Sequence, residues 1–156
     1  MINLIYLLGA ALIVGIDRIT KIWVTSNAEM PGDVITRIGN LFSFTYVRNE
    51  GAAFSMLSGR LGLLSIISIA FCIGVVIYWI VKKPKNRLLC TALAMMAAGA
   101  LGNAFDRIIY GYVIDFIKAE FVNFAVFNVA DIAITVGAAL LVLFVCLEDK
   151  KNGDKK

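Results

Sequence analysis

Leu61–Val81 reads LGLLSIISIAFCIGVVIYWIV, 21 residues without a charge. Crossing the hydrocarbon of a bilayer takes about 20 mostly apolar residues in a helix. This stretch therefore predicts a transmembrane span, and it decides the class of fold. Leu88–Phe105 adds 18 residues without a charge, and Phe121–Leu147 adds 27 with the single charge of Asp131. The segment Ile2–Val24 is apolar as far as Ile16 and then carries Asp17, Arg18 and Lys21. It has no basic start and no small-residue cleavage site behind its apolar run, so it reads as a retained helix rather than a signal peptide. The expectation is an all-α membrane protein, one domain over residues 1–156, with four transmembrane helices at about 2–24, 61–81, 88–107 and 124–147.

Composition agrees. The chain is 60% hydrophobic and 17% charged, against about 45–50% and 25% in soluble domains. It contains no histidine, which excludes a Ser-His-Asp triad, a Cys-His dyad and a His-ligated zinc site. Cys72, Cys90 and Cys146 each sit in an apolar run without paired spacing. They read as small buried hydrophobes, neither a disulfide framework nor a metal site. No cofactor and no metal are expected.

The net charge of +4 points to membrane orientation rather than nucleic acid. Lys82, Lys83, Lys85 and Arg87 fill the link 82–87, and Lys150, Lys151, Lys155 and Lys156 fill the tail 148–156. Positive residues stay cytoplasmic, so both termini are expected inside. Loops 25–59 and 108–123 then face outward. In the first of them Phe42, Phe44 and Tyr46 alternate with Ser43 and Thr45. That period of two predicts a half-exposed strand. A small extracytoplasmic β-sheet, a cradle with its aromatic face toward lipid or a lipid-like ligand, is expected in this loop. An ordinary belt of interfacial aromatics is the other reading.

Ionisable groups in or beside a span cost free energy unless paired or hydrated, so they are candidates for function. Asp17, Asp106, Asp115 and Asp131 qualify. Asp17 and Lys21 stand in i, i+4 order and predict a helical ion pair. Asn103, Asp106 and Arg107 share one helical face, as do Asn128 and Asp131. Asp106 and Arg107 pair either with each other or across the bundle. Asp115 and Asp131 have the fewest local partners and are expected at one membrane depth, near the outer edge. Two close carboxylates share a proton, and such a pair can activate water against an amide. Structural ion pairing and a proton or ion pathway are the competing readings of the same residues.

Taken in order, Asp17-Arg-Ile-Thr-Lys21, Arg48-Asn49-Glu-Gly51-Ala-Ala-Phe54-Ser55, Gly99-Ala-Leu-Gly102-Asn103-Ala-Phe-Asp106-Arg107, Val113-Ile-Asp115-Phe116 and Phe127-Asn128-Val-Ala-Asp131 resemble the bacterial lipoprotein signal peptidases, or signal peptidase II. The resemblance runs over essentially the whole chain. It implies an intramembrane aspartic endopeptidase that removes the signal peptide of prolipoproteins just before a diacylglyceryl-modified cysteine. It carries Asp115 and Asp131 over as the catalytic pair. Asn49, Asn103, Arg107 and Asn128 become substrate-binding, and Asp17, Lys21 and Asp106 become supports. It also implies a metal-free monomer in the bacterial cell membrane, inhibited by globomycin, with membrane lipid and prolipoproteins as partners. Arg18, Ala98 and Ile132 depart from the usual motif residues. A proton-coupled transporter or a membrane scaffold is the alternative. A transporter would want its acid at the midplane, and a scaffold would tolerate Asp→Asn changes.

Overall fold

A computed structural model describes residues 4–51 and 60–153. The motif residues Ala52, Ala53, Phe54 and Ser55 lie outside the described residues. In chain order the elements are α1 (Leu4–Asn27), β1 (Val34–Ile38), β2 (Phe42–Asn49), α2 (Leu61–Lys82), α3 (Arg87–Tyr110), β3 (Val113–Ala119) and α4 (Val129–Gly153).

The bundle is organised around α3, which packs against α1, α2 and α4. Its buried face is built from Ala92, Ala94, Ala98, Gly99, Ala100, Gly102 and Ala104. Lipid offers helices no hydrophobic drive to associate, so close van der Waals contact between small residues must supply it. A Cβ at Gly99 would run into the carbonyl oxygen of Ala130, and one at Gly102 would stand 2.9 Å from Asp17 Oδ2. From the other side, a Cβ at Gly137 on α4 would meet Met96 Cγ at 2.7 Å. These glycines set how near α3 lies to α4 and α1. The outward faces are large and apolar, with Leu8, Leu12, Ile66, Ile77, Val81 and Val142 all exposed. An uncovered surface of that kind marks a membrane or an interface.

Among the described residues three helices, α2, α3 and α4, are long and apolar enough to cross a membrane. The 24-residue α1 carries Asp17, Arg18 and Lys21 in its second half. Helix ends follow local chemistry. Lys83 takes a left-handed φ of 48° at the end of α2, and Pro84 follows it. The Asn86 side chain accepts the Leu89 N–H at 3.1 Å to cap α3. Gly111, at φ 74°, ends α3 and turns the chain into β3, a conformation glycine takes without a Cβ penalty.

The sheet is antiparallel in the order β1-β2-β3. Two expectations change here. The sheet extends beyond the first loop, because its third strand comes from the link after α3 and carries Asp115. The aromatic alternation on β2 also breaks. A register shift between Phe44 and Val47 leaves Thr45 and Tyr46 both buried, and Ser43 is buried with them. Ser43 Oγ donates to Glu120 Oε1 at 2.6 Å, which satisfies it. Tyr46 packs with Val24, Ile114 and Phe116 into the core that seats the sheet on the end of α1. A bulge of this kind redirects side chains that strict period two would alternate. The fourth helix starts at Val129, not near 124. Before it, Phe127 exchanges backbone hydrogen bonds with Ile117 at 2.8 and 3.0 Å, so this stretch runs along β3 instead of coiling. The cysteines also divide: Cys90 is buried and Cys146 exposed on the outer face of α4, where lipid rather than protein would cover it.

Candidate active site

Four aspartates converge where α1, α3, β3 and the start of α4 meet, and they sort into two groups. Asp17 and Asp106 are wholly buried with Lys21. Lys21 Nζ lies 2.9 Å from Asp17 Oδ2 and 2.7 Å from Asp106 Oδ2. Arg18 Nη2 reaches Asp106 Oδ1 at 2.5 Å and Asp17 Oδ2 at 3.2 Å. The carboxylate oxygens also hold backbone: Asp17 Oδ1 accepts the Ala130 N–H at 3.1 Å, and Asp106 Oδ2 accepts the Ile114 N–H at 3.2 Å. Two acids and two cations cancel in charge. The cluster fastens α4 and β3 to α1 and α3.

The expected Asp17–Lys21 pair is therefore present, and Asp106 pairs across the bundle rather than with Arg107. Arg107 instead donates from Nη2 to the Gly51 carbonyl at 3.3 Å. Arg18, which the sequence marks only as a departure, is a full member of the cluster. Its signal is an acid at 17 followed by cations at 18 and 21, with a second acid at 106 wanting a partner.

Asp115 and Asp131 form the other group, and their partners are neutral amides. Asp115 lies on β3, 2% exposed. Its Oδ2 accepts from Asn49 Nδ2 at 2.9 Å and its Oδ1 from Asn128 Nδ2 at 2.7 Å. The β2–β3 register pairs Asn49 with Val113 and Val47 with Asp115, which brings the Asn49 amide to the acid. Asp131 lies in the first turn of α4, where the helix N-terminus favours a negative charge. Its Oδ2 accepts the Asn128 N–H at 3.1 Å, and Asn128 Oδ1 accepts the Asp131 N–H at 2.9 Å. This reciprocal pair caps the helix. Asp131 Oδ1 accepts from Asn103 Nδ2 at 2.7 Å.

Asn128 is fully buried and touches both acids, one through its side chain and one through its backbone. Its Nδ2 also donates to Asn103 Oδ1 at 3.1 Å, the same oxygen that accepts from Lys21 Nζ at 3.2 Å. With Lys21 holding that oxygen, the Asn103 NH2 must face Asp131. The two groups are thus joined through one carboxamide.

Burial pushes the Asp115 carboxyl up to about 7, and the Asp131 charge adds to that. The Asn49 and Asn128 hydrogen bonds act in the opposite direction. Both acids line a cavity of ≈ 550 Å³ with Asn49, Asn103 and Arg107. Its other walls are mainly apolar, including Leu64 and Ile67 of α2, Phe124, Val126, and Ile134 and Val136 on α4. The space suits an extended apolar chain with a polar backbone at one point. Every residue expected at the site from the sequence lies in this constellation or in the charge cluster behind it. Among the described residues no cluster of three or more His, Cys, Asp or Glu side chains could hold a metal ion.

A family model described as signal peptidase (SPase) II matches residues 9–147. The chain belongs to the signal peptidase II family. A lipoprotein signal peptidase of Clostridium novyi (strain NT) is 40% identical over 138 residues, 86% of this chain and 93% of that protein. One of Lactobacillus johnsonii is 40% identical over 149 residues, 95% of this chain and 96% of the relative. The fold agrees as well. A structure solved as a bacterial membrane enzyme by the in meso method at 2.3 Å superposes with a TM-score of 0.86 at 33% identity, covering 97% of this chain and 92% of the other. A transporter or scaffold reading is not favoured. Family and apolar helices together make this a bacterial membrane protein.

Proposed function

We propose that this protein removes the signal peptide of prolipoproteins as an aspartic endopeptidase, with Asp115 and Asp131 as the catalytic pair. Prolipoprotein cleavage is the activity of its family. The aspartic chemistry rests on one observation above all: two carboxylates bridged by Asn128, supported by amides rather than cations, on the wall of one cavity. A carboxyl raised to about 7 beside a second acid suits a dyad that holds one proton between two groups.

In this mechanism a water bound between the acids gives its proton to the unprotonated carboxylate and attacks the scissile carbonyl. The protonated partner donates a hydrogen bond to the oxyanion as it forms. The proton then passes to the leaving nitrogen. Asn103 and Asn128 hold the carboxylates in place. Asn49 and Arg107, on the cavity wall, bind the substrate backbone next to the cut. The apolar wall receives the signal segment, and cleavage falls just before the diacylglyceryl-modified cysteine.

The topology belongs to the same proposal. Residues 1–156 form one domain in the bacterial cell membrane. The helix α1 crosses as a fourth span, with its three charges neutralised against Asp106. Lys82, Lys83, Lys85 and the tail lysines hold both termini in the cytoplasm. The sheet and the dyad then lie at the extracytoplasmic face. The protein acts as a monomer among membrane lipids, and globomycin occupies the cavity of the dyad. The test is cleavage of a diacylglyceryl-modified prolipoprotein by purified protein in detergent, with and without globomycin. Globomycin-sensitive cleavage before the modified cysteine is expected. No cleavage by folded protein overturns the reading.

A further inference from the structure

A second cavity, ≈ 290 Å³, opens between α1, the end of α3 and the sheet, with Arg18 and Lys21 in its wall. Its character differs from the first, because arginines and tyrosine hydroxyls line much of it. Arg48, Arg18, Tyr110 and Tyr112 contribute, and Glu29 is the acid of the lining. The volume is far more than one water needs.

The charges do not cancel here as they do one layer deeper. Lys21 is spent on Asp17 and Asp106. Arg18 gives its Nη2 to the same two acids, yet its buried Nε–H has no acceptor among the described residues. Arg48 forms no ion pair among the described residues. It is held for display: its Nε donates to Tyr46 Oη at 2.9 Å, and its guanidinium lies over the Tyr112 ring at 4.8 Å. Tyr46 Oη and Tyr112 Oη are themselves 3.4 Å apart. Stacking orients the guanidinium, whose planar fork of N–H donors suits a phosphate.

The surroundings are those of a lipid. Ile22 lines the cavity and is 59% exposed. Below it Ile19, Ile16 and Leu12 continue an exposed apolar track along α1, long enough for an acyl chain. Tyr110 is also exposed at the mouth, and tyrosine favours the headgroup level.

We infer that this cavity binds the phosphate headgroup of an anionic membrane phospholipid, with Arg48 and Arg18 on the phosphate and the acyl chain along α1. Glu29 opposes a second negative charge, so a headgroup with one phosphodiester fits better than a bare dianion. The site stands independently of the catalytic reading.

The test is native mass spectrometry of the full chain released from nanodiscs containing equal phosphatidylglycerol and phosphatidylcholine with matched chains. Retention of phosphatidylglycerol over phosphatidylcholine by roughly tenfold is expected, the scale of one charge-assisted contact. Arg48→Gln should abolish the preference while its thermal unfolding matches wild type. Should Arg48→Gln fail to fold, Tyr46→Phe keeps the ring and removes the hydroxyl that accepts the Arg48 Nε–H, and it should weaken the preference. Equal retention of both lipids by wild type overturns the inference. So does a preference unchanged in the folded arginine variant or, where Tyr46→Phe serves in its stead, in that variant. Displacement of the lipid by millimolar inorganic phosphate would assign the site to a free anion and overturn the lipid occupant. Because retention rather than turnover is read, failure here leaves the peptidase reading intact, and the reverse also holds.

Discussion

Two pairs of aspartates meet where α1, α3, β3 and the start of α4 come together, yet their surroundings are opposite. Asp17 and Asp106 face Lys21 and Arg18, a full complement of positive charge. Asp115 and Asp131 face Asn49, Asn103 and Asn128, which offer hydrogen bonds and no charge. The buried carboxylates of the first pair have their charge offset by paired cations. Asp115, held by amides beside a second acid, is pushed up to about 7. The difference teaches how one corner of the fold holds the same side chain in two opposite settings, one fastened by cations and one supported by amides. What separates them is the charge of the neighbour.

The largest expected effect breaks the comparison at the amide-held pair. Asp115→Asn and Asp131→Asn should each lower prolipoprotein cleavage by at least about 10²–10⁴-fold, the range for a lost general acid or base. The variants should insert and stay folded, as size-exclusion and thermal unfolding would verify. The same change at Asp17 or Asp106 should act on folding first.

Next comes the cation-held pair. Lys21→Met leaves two buried acids against one arginine, and removing a partner of a buried ion pair costs about 3–5 kcal/mol. A lower unfolding midpoint in detergent and faster proteolysis should follow. Unchanged stability would mean that the cluster is hydrated rather than dry.

Asn128→Ala probes the bridge. It removes one hydrogen bond to Asp115 and the side-chain half of the helix cap. A fall in kcat of about 10–100-fold is expected, a loss of about 1.4–2.7 kcal/mol at one charge-assisted contact. If KM moves and kcat does not, Asn128 holds substrate rather than the dyad.

The smallest expected effect is a pH shift. With Asp115 raised to about 7, the one-proton dyad prevails below that value. Cleavage should decline as pH rises through it. Because the raised carboxyl binds its proton more tightly folded than unfolded, the associated stability is present below the ordinary carboxylate range and lost as pH rises toward 7. Asn49→Ala removes a hydrogen bond that favours the ionised form, so the alkaline limb should move to higher pH. A limb that stays put would uncouple Asn49 from the titration.

The helices are legible in the sequence because a charge-free run of this length fits little besides a membrane span; α2 ends within a residue of its apolar limits, whereas α4 begins well inside its apolar run and continues past Leu147 into the charged tail. The acids are legible because so few polar residues remain once the apolar runs are set aside. The strand carrying Asp115 is not. Its residues 113–116 are buried one after another between the sheet and the helices, so there is no alternation to read. The bulge on β2 is hidden for a related reason: nothing in Phe-Ser-Phe-Thr-Tyr-Val marks where the register slips. Arg18 is hidden because its partner Asp106 lies 88 positions away. Spacing along one helix finds the Lys21 contact with Asp17 and not that one.

The strand β3 has a practical consequence for anyone trimming this protein. Asp131 belongs to a helix long and apolar enough to cross a membrane, but Asp115 belongs to a strand held by β2 on one side and Phe127 on the other. A minimal version reduced to its helices would still enter a bilayer and still look right by circular dichroism. It would carry Asp131 without Asp115, one member of the proposed pair facing nothing.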